Sequence, residues 1–253
     1  MAFETTATIA SFGGKLLKLT HGASSTGCKM ALNLYLPPQA AHSGQKVPVL
    51  FYLSGLTCTG DNCAEKGFFQ FGASQKGIAI VYPDTSPRNS SASPRVLPLL
   101  TLTGGLKIAG EDDAYDFGSG AGFYIDATAA PWSTNYKMET YITSELPEAL
   151  FSSFPELDSS RVSITGHSMG GHGALTLFLK NPGKYKSVSA FAPIANPVNC
   201  PWGEKAFKGY LGEERETWKK HDATELIKGW KGDLDILIDV VCFPVDQYRS
   251  EDE

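Results

Sequence analysis

Nowhere in these 253 residues does an uninterrupted apolar run approach the ~18 that a membrane-spanning helix needs, and residues 1–18 lack the apolar segment of a secretory leader. A cytosolic protein is expected. Cysteine is scarce: Cys28, Cys58, Cys63, Cys200 and Cys242 are odd in number and scattered, with no Cys-x-x-Cys pair and no histidine at metal-ligand spacing. Disulfides and structural zinc are not expected. Positive charge is also short, since 22 Lys+Arg against 27 Asp+Glu leave a net charge of −5 and no basic field for a phosphate backbone or an anionic membrane. Nucleic acid and membrane are therefore not expected as partners. No Gly-x-Gly-x-x-Gly follows a strand-like run, and Gly118, Gly120 and Gly122 lack that setting, so no cofactor is implied. The sequon Asn89-Ser90-Ser91 would matter only in a secreted chain and reads as a polar loop.

What is present suffices for a core: 42% of residues are hydrophobic, and the length fits one α/β domain over 1–239. Apolar runs at 47–53, 78–82, 162–165, 188–192 and 234–238 show little period-2 alternation, which suits strands buried on both faces. Helical patterns fall between them at 63–76, 136–154, 171–179 and 213–229. Strand and helix in repeated alternation imply a mostly parallel sheet with helices on both faces. Residues 13–36 alternate more and end at Pro37-Pro38, as antiparallel strands at a sheet edge would. Two stretches break the regularity. Residues 89–104 repeat the tripeptide Ser-Pro-Arg of 86–88 at 93–95 and read as an insertion, and 240–253 read as a divergent, frayed tail.

The sharpest signal is an apolar run entering Gly166-His167-Ser168-Met169-Gly170 and continuing into a helical pattern. That is the setting of a nucleophile elbow, in which a serine sits on a strained strand-to-helix turn with its Oγ lifted above the sheet. Small residues two positions either side are required by crowding. Ser168 is the candidate nucleophile, and the backbone N–H of Met169, at the helix N-terminus, is a candidate oxyanion donor. A second donor should come from the loop after an earlier strand, and the backbone N–H of Leu56 in Leu53-Ser54-Gly55-Leu56-Thr57-Cys58 fits that place. The bland alternative at both places is an ordinary Gly/Ser turn. Along 136–154, Met138, Tyr141, Ile142, Leu146, Ala149 and Leu150 recur at helical spacing and read as core. Trp132 and Trp202, each beside a proline, are candidate cleft walls or, equally, ordinary loop packing, and Cys58 could face the pocket as a thiol, although a buried or merely exposed cysteine is the commoner role.

Several motifs together resemble the S-formylglutathione hydrolases, also called esterase D. They are Leu53-Ser-Gly-Leu-Thr-Cys-Thr59, Pro83-Asp-Thr-Ser-Pro-Arg88, Tyr115-Asp-Phe-Gly-Ser-Gly-Ala-Gly-Phe-Tyr124, Gly166-His-Ser-Met-Gly-Gly-His-Gly-Ala174, the stretch 181–193, and Cys200-Pro-Trp202. The likeness covers nearly all of 13–239 apart from 89–104. It implies an α/β-hydrolase fold and a cytosolic, cofactor-free serine thioesterase that splits S-formylglutathione into glutathione and formate, closing a glutathione-dependent route of formaldehyde removal. It also implies activity on simple esters and a homodimer. The family's nucleophile maps onto Ser168 and its oxyanion donors onto Leu56 and Met169.

The catalytic order Ser, then Asp or Glu, then His is not completed here. The family pattern ends immediately after Asp239, where Val240-Val-Cys-Phe-Pro-Val-Asp246 follows, and only His172 and His221 come after Ser168. His172 and His167 match family positions other than the general base, and His221, beside Asp222 in a polar stretch, reads as a solvated surface residue. Asp246 would need an unrelated loop course to serve as the acid. The final strand, the His-bearing loop and the last helix of the family are absent, as an alternative transcript or gene-model product would leave them. Little hydrolase activity is expected, and a non-catalytic relative that binds glutathione thioesters or a full-length subunit is the alternative. A general carboxylesterase or acyltransferase would share the elbow.

Overall fold

Val47–Leu53 (VPVLFYL) is buried along most of its length, as an apolar run with no alternation requires of a central strand. In the computed structural model, which describes residues 3–42, 44–88 and 108–240, it is β4 of an eight-stranded sheet. The others are β1 (Glu4–Ser11), β2 (Gly14–Ala23), β3 (Cys28–Leu36), β5 (Ala79–Pro83), β6 (Leu157–His167), β7 (Val188–Phe191) and β8 (Ile236–Asp239). The spatial order is β1-β2-β3-β5-β4-β6-β7-β8. The pairs up to β3–β5 are antiparallel and the rest parallel. Pro48 lies inside β4 although it has no N–H to give, and the register with β6 shifts there, between Val47 and Val49.

The sheet is thus the α/β-hydrolase arrangement expected, with two differences at its edges. β1 was not legible: its residues ETTATIAS are mostly exposed, and only the turn Phe12-Gly13, both at positive φ, marks the hairpin. At the other side, the run read as buried on both faces at 234–238 is β8, where Leu237 is 55% and Ile238 52% exposed. Among the described residues β8 has one neighbour, β7, so apolarity there reports composition and not burial. The insertion expected at 89–104 and the tail from 241 onward lie outside the described residues, as does Asp246.

The helices follow local rules that the sequence shows in part. The single helix expected at 63–76 is two, α1 (Gly60–Lys66) and α2 (Phe69–Lys76), parted at Gly67 and at Phe68 with φ 55. Thr59 and Asn62 form a reciprocal capping box that starts α1. The pattern at 136–154 yields α3 (Met138–Thr140), a π-helical turn (Tyr141–Glu145) and α4 (Leu146–Ser153). Pro147 explains the wide turn. It has no N–H for the Thr143 carbonyl four residues earlier, and that carbonyl accepts instead from Lys184 Nζ. All six apolar residues named on this segment are buried. α5 (Met169–Lys180) follows β6 directly. α6 (Pro201–Leu211) was missed, although Pro201 at its first turn and Ala206, Phe207, Tyr210 and Leu211 on its buried face signal it. Within 213–229 two short α-helices form, α7 (Arg215–Trp218) and α8 (Ala223–Leu226), each followed by a 3₁₀ turn. Among the described residues no helix is long and apolar enough to cross a membrane, and Cys28, Cys58, Cys63 and Cys200 are free thiols.

Candidate active site

Ser168 stands between β6 and α5 with φ 58 and ψ −119, a conformation costly for any residue but glycine and held here by surrounding bonds. Its N–H donates to Phe191 O (2.9 Å), and its carbonyl accepts from His172 N–H (3.0 Å) and Ile194 N–H (3.3 Å). The neighbouring glycines are forced by contact. A Cβ on Gly166 would lie 2.1 Å from Gly170 O, and one on Gly170 would lie 2.0 Å from Leu53 O. Strand β6, the turn, α5 and the end of β4 therefore approach each other more closely than any side chain permits.

The loop after β4 lies against this turn, since a Cβ on Gly55 would be 3.4 Å from Ser168 Cβ. Cys58 N–H closes a turn onto Gly55 O (3.3 Å), with Leu56 and Thr57 at its centre. Neither the Leu56 N–H nor the Met169 N–H makes a hydrogen bond among the described residues, and Met169 opens α5, where the first amides lack intrahelical acceptors. Gly55 thus touches the turn that carries the half-exposed Ser168 and Met169, and Leu56 is the next residue along the loop. Such an arrangement can offer a hydroxyl to a carbonyl carbon and two N–H groups to the oxygen that becomes negative.

Trp132 and His221 stand elsewhere than expected. Trp132 is no cleft wall; it is buried, packed edge-on against Phe117, Tyr136 and Tyr210. Trp202, in the first turn of α6, is 45% exposed. Cys58 is half-buried, and burial pushes its thiol up, with Cys63 adding to the effect. His221 is no solvated surface residue. Its ring packs on Phe207, its Nδ1 lies 3.4 Å from Lys180 Nζ, and its side chain is 14% exposed. Polar neighbours in sequence concealed that packing. Asp222 beside it is fully buried and accepts from the N–H groups of Val198, Thr224 and Glu225.

No histidine is hydrogen-bonded to the serine. All five lie among the described residues: His21 meets Tyr141 Oη (2.9 Å), His42 meets Gln39 O (3.2 Å), and His172 meets Phe123 O (3.1 Å). None of these, nor His167 or His221, hydrogen-bonds Ser168 Oγ. Among the described residues no cluster of three His, Cys, Asp or Glu side chains could hold a metal ion.

Burial lowers the pKa of His172 to about 4, and burial with the Lys180 charge lowers that of His221 to about 3. Both rings are neutral in the folded protein at neutral pH. Unfolding exposes them to an ordinary value near 6.5, so the unfolded chain binds protons that the folded one refuses. Their stabilising effect is complete above about pH 6.5 and is lost as pH falls toward the folded values. Urea unfolding should show stability dropping by up to about 1.4 kcal/mol per pH unit per histidine, steepest near pH 5. A flat profile there would contradict the burial of both rings.

The sequence motifs gave no role to the residues that hold the loop. Asp84 and Arg88, from Pro83–Arg88, form an ion pair (2.8 Å), and Arg88 Nη2 donates to the Cys58 carbonyl (3.0 Å). Tyr124 Oη donates to Ser54 O (2.9 Å). Burial pushes the Asp84 carboxyl up, against the pull of the Arg88 charge.

A family model described as "Putative esterase" matches residues 23–240. The chain is 52% identical over 229 residues to the S-formylglutathione hydrolase of Rattus norvegicus, covering 90% of this chain and 74% of that one. It is 47% identical over 241 residues to that of Paracoccus denitrificans, covering 94% and 78%. The structure of an S-formylglutathione hydrolase from Agrobacterium tumefaciens superposes with a TM-score of 0.80 at 37% identity, over 94% of this chain and 89% of that one.

Proposed function

The chain belongs to the S-formylglutathione hydrolase family of esterases, and on that premise we propose that it is a serine thioesterase acting on S-formylglutathione. Ser168 Oγ adds to the formyl carbon while its proton passes to solvent water, and the carbonyl oxygen takes the negative charge beside the N–H groups of Leu56 and Met169. Collapse of this adduct breaks the C–S bond, releasing glutathione and leaving a formyl ester on Ser168. Water then cleaves the ester to formate and restores the hydroxyl. The observation that supports this reading is the strained Ser168, against which the loop residue Gly55 packs, with the amides of the adjacent Leu56 and Met169 unengaged among the described residues.

The thioester suits the residues present. A thiol of pKa near 8.5 departs as a thiolate without a proton donor, so the acid half of a histidine's work is dispensable. The base half is not. Purified chain incubated with S-formylglutathione should release formate faster than buffer, and mass spectrometry of the Ser168 peptide should find a formyl adduct that Ser168→Ala abolishes. Formate release at the buffer rate with no adduct would leave the non-catalytic binder as the better account.

A further inference from the structure

We propose that Arg88 is a positioning residue: its guanidinium holds the 54–58 loop so that the Leu56 N–H stays aimed at the oxygen of a substrate bound over Ser168. The inference rests on the function proposed above for the site and assigns the loop's geometry to one side chain.

Within that loop, Thr57 occupies the third place of the turn closed by Cys58 N–H on Gly55 O, with φ 67. Glycine ordinarily fills such a place, and for a β-branched residue the conformation is an outlier that persists only when its surroundings over-determine it. Those surroundings are on hand. Thr57 N–H donates to Gly120 O (2.9 Å), Arg88 Nη2 donates to the Cys58 carbonyl (3.0 Å) and reaches the Thr57 carbonyl (3.4 Å), and Thr85 Oγ1 donates to the Cys58 carbonyl (2.6 Å). Arg88 Nη2 also bonds Thr85 Oγ1 (3.2 Å), and Nε bonds Asp84 Oδ1 (2.8 Å).

Asp84 is buried at the end of β5, so the arginine is anchored to the sheet at one end and grips loop carbonyls at the other. Space is tight around it: a Cβ on Gly120 would sit 2.8 Å from Arg88 Nη2 and 2.9 Å from Thr57 Cα. A lysine keeps the charge beside Asp84 but has no planar fork to span an anchor and a carbonyl together. Removing Arg88 therefore frees the Thr57 carbonyl and leaves the Cys58 carbonyl to Thr85 Oγ1 alone, and the strained Thr57 relaxes toward negative φ. That relaxation turns the Leu56–Thr57 segment and swings the Leu56 N–H away from the serine.

The test compares the parent, Arg88→Lys and Arg88→Gly, using amide hydrogen exchange resolved to residues 54–59 together with formate release. Arg88→Lys keeps a cation beside Asp84 and so keeps the fold. In both variants exchange at 54–59 should rise about tenfold while β6 stays protected. Formate release should fall by about tenfold with KM little changed, less than the 10² to 10³ of deleting an oxyanion donor outright. Dilute guanidinium chloride should restore both readouts in Arg88→Gly, and methylammonium chloride at equal concentration should not. Unchanged exchange at 54–59 in both variants, or equal rescue by the two cations, overturns the proposal. If the parent itself releases no formate, the thioesterase reading fails, and exchange at 54–59 still decides the role of Arg88.

Discussion

Measured side by side, this chain is expected to release formate from S-formylglutathione about 10⁴ to 10⁶ times more slowly than the rat S-formylglutathione hydrolase. The size follows from what stands next to Ser168. At neutral pH, far below its own pKa, a serine hydroxyl is a weak nucleophile, and in serine hydrolases removal of the base costs nearly as much as removal of the whole triad. Here the five histidines are accounted for, each directed elsewhere or lacking a bond to Ser168 Oγ. Two of them are also held neutral by burial, on tasks inside the fold. What remains is the pair of backbone donors and the binding surface, which in related chemistry sustain about 10³ to 10⁴ over water. Free imidazole in the buffer should raise the rate by supplying the missing proton acceptor, and the gain should vanish in Ser168→Ala. Turnover within tenfold of the rat enzyme would mean that another group of this chain takes the proton from Ser168.

Gly170→Ala is expected to lower the melting temperature by roughly 10 °C, the equivalent of about 3 kcal/mol or more in a protein of this size. The added Cβ would lie 2.0 Å from Leu53 O, 2.4 Å from Leu53 C and 2.7 Å from Ser54 O. Every one of those atoms is backbone, so no rotamer change can relieve the clash. Either the end of β4 retreats and takes Leu56 with it, or α5 retreats and takes Met169. Both movements draw Leu56 and Met169 apart, so on the function proposed above the formyl adduct should be lost along with stability. Gly72→Ala is the matched control. It lies in α2 with open space around its Cβ position, and alanine there should be neutral or stabilising by up to about 1 kcal/mol. Calorimetry on the two variants checks the pair, and a Gly170→Ala melting point within a degree or two of the parent would refute the close approach.

The elbow was legible in the sequence because its requirement is steric: backbone packed at 2 Å from a hypothetical Cβ leaves only glycine, and glycine is visible in a string of letters. The Leu56 amide left no such trace, since a backbone donor is indifferent to its side chain, and its place had to be inferred from the strand before it. Arg88 was visible as a motif and invisible as a contact, because the carbonyls it grips are some thirty residues away in sequence. Runs of apolar residues located β4 to β8 but misjudged the exposure of β8, which depends on how many strands stand beside it. β1 has too little apolar content to show any period at all. Trp132 and His221 were misplaced for a shared reason: sequence neighbours, a proline in one case and charged residues in the other, say little about partners brought by the fold.

The wide turn at Tyr141–Glu145 ties two distant positions into one heritable unit. Pro147 withdraws an amide from the Thr143 carbonyl, and Lys184 supplies the proton that the helix no longer can. A descendant that regains an amide at 147 releases the lysine to drift, whereas one that loses the lysine while keeping the proline strands a carbonyl inside the protein. Covariation of these two sites across relatives would be the evolutionary signature of that exchange.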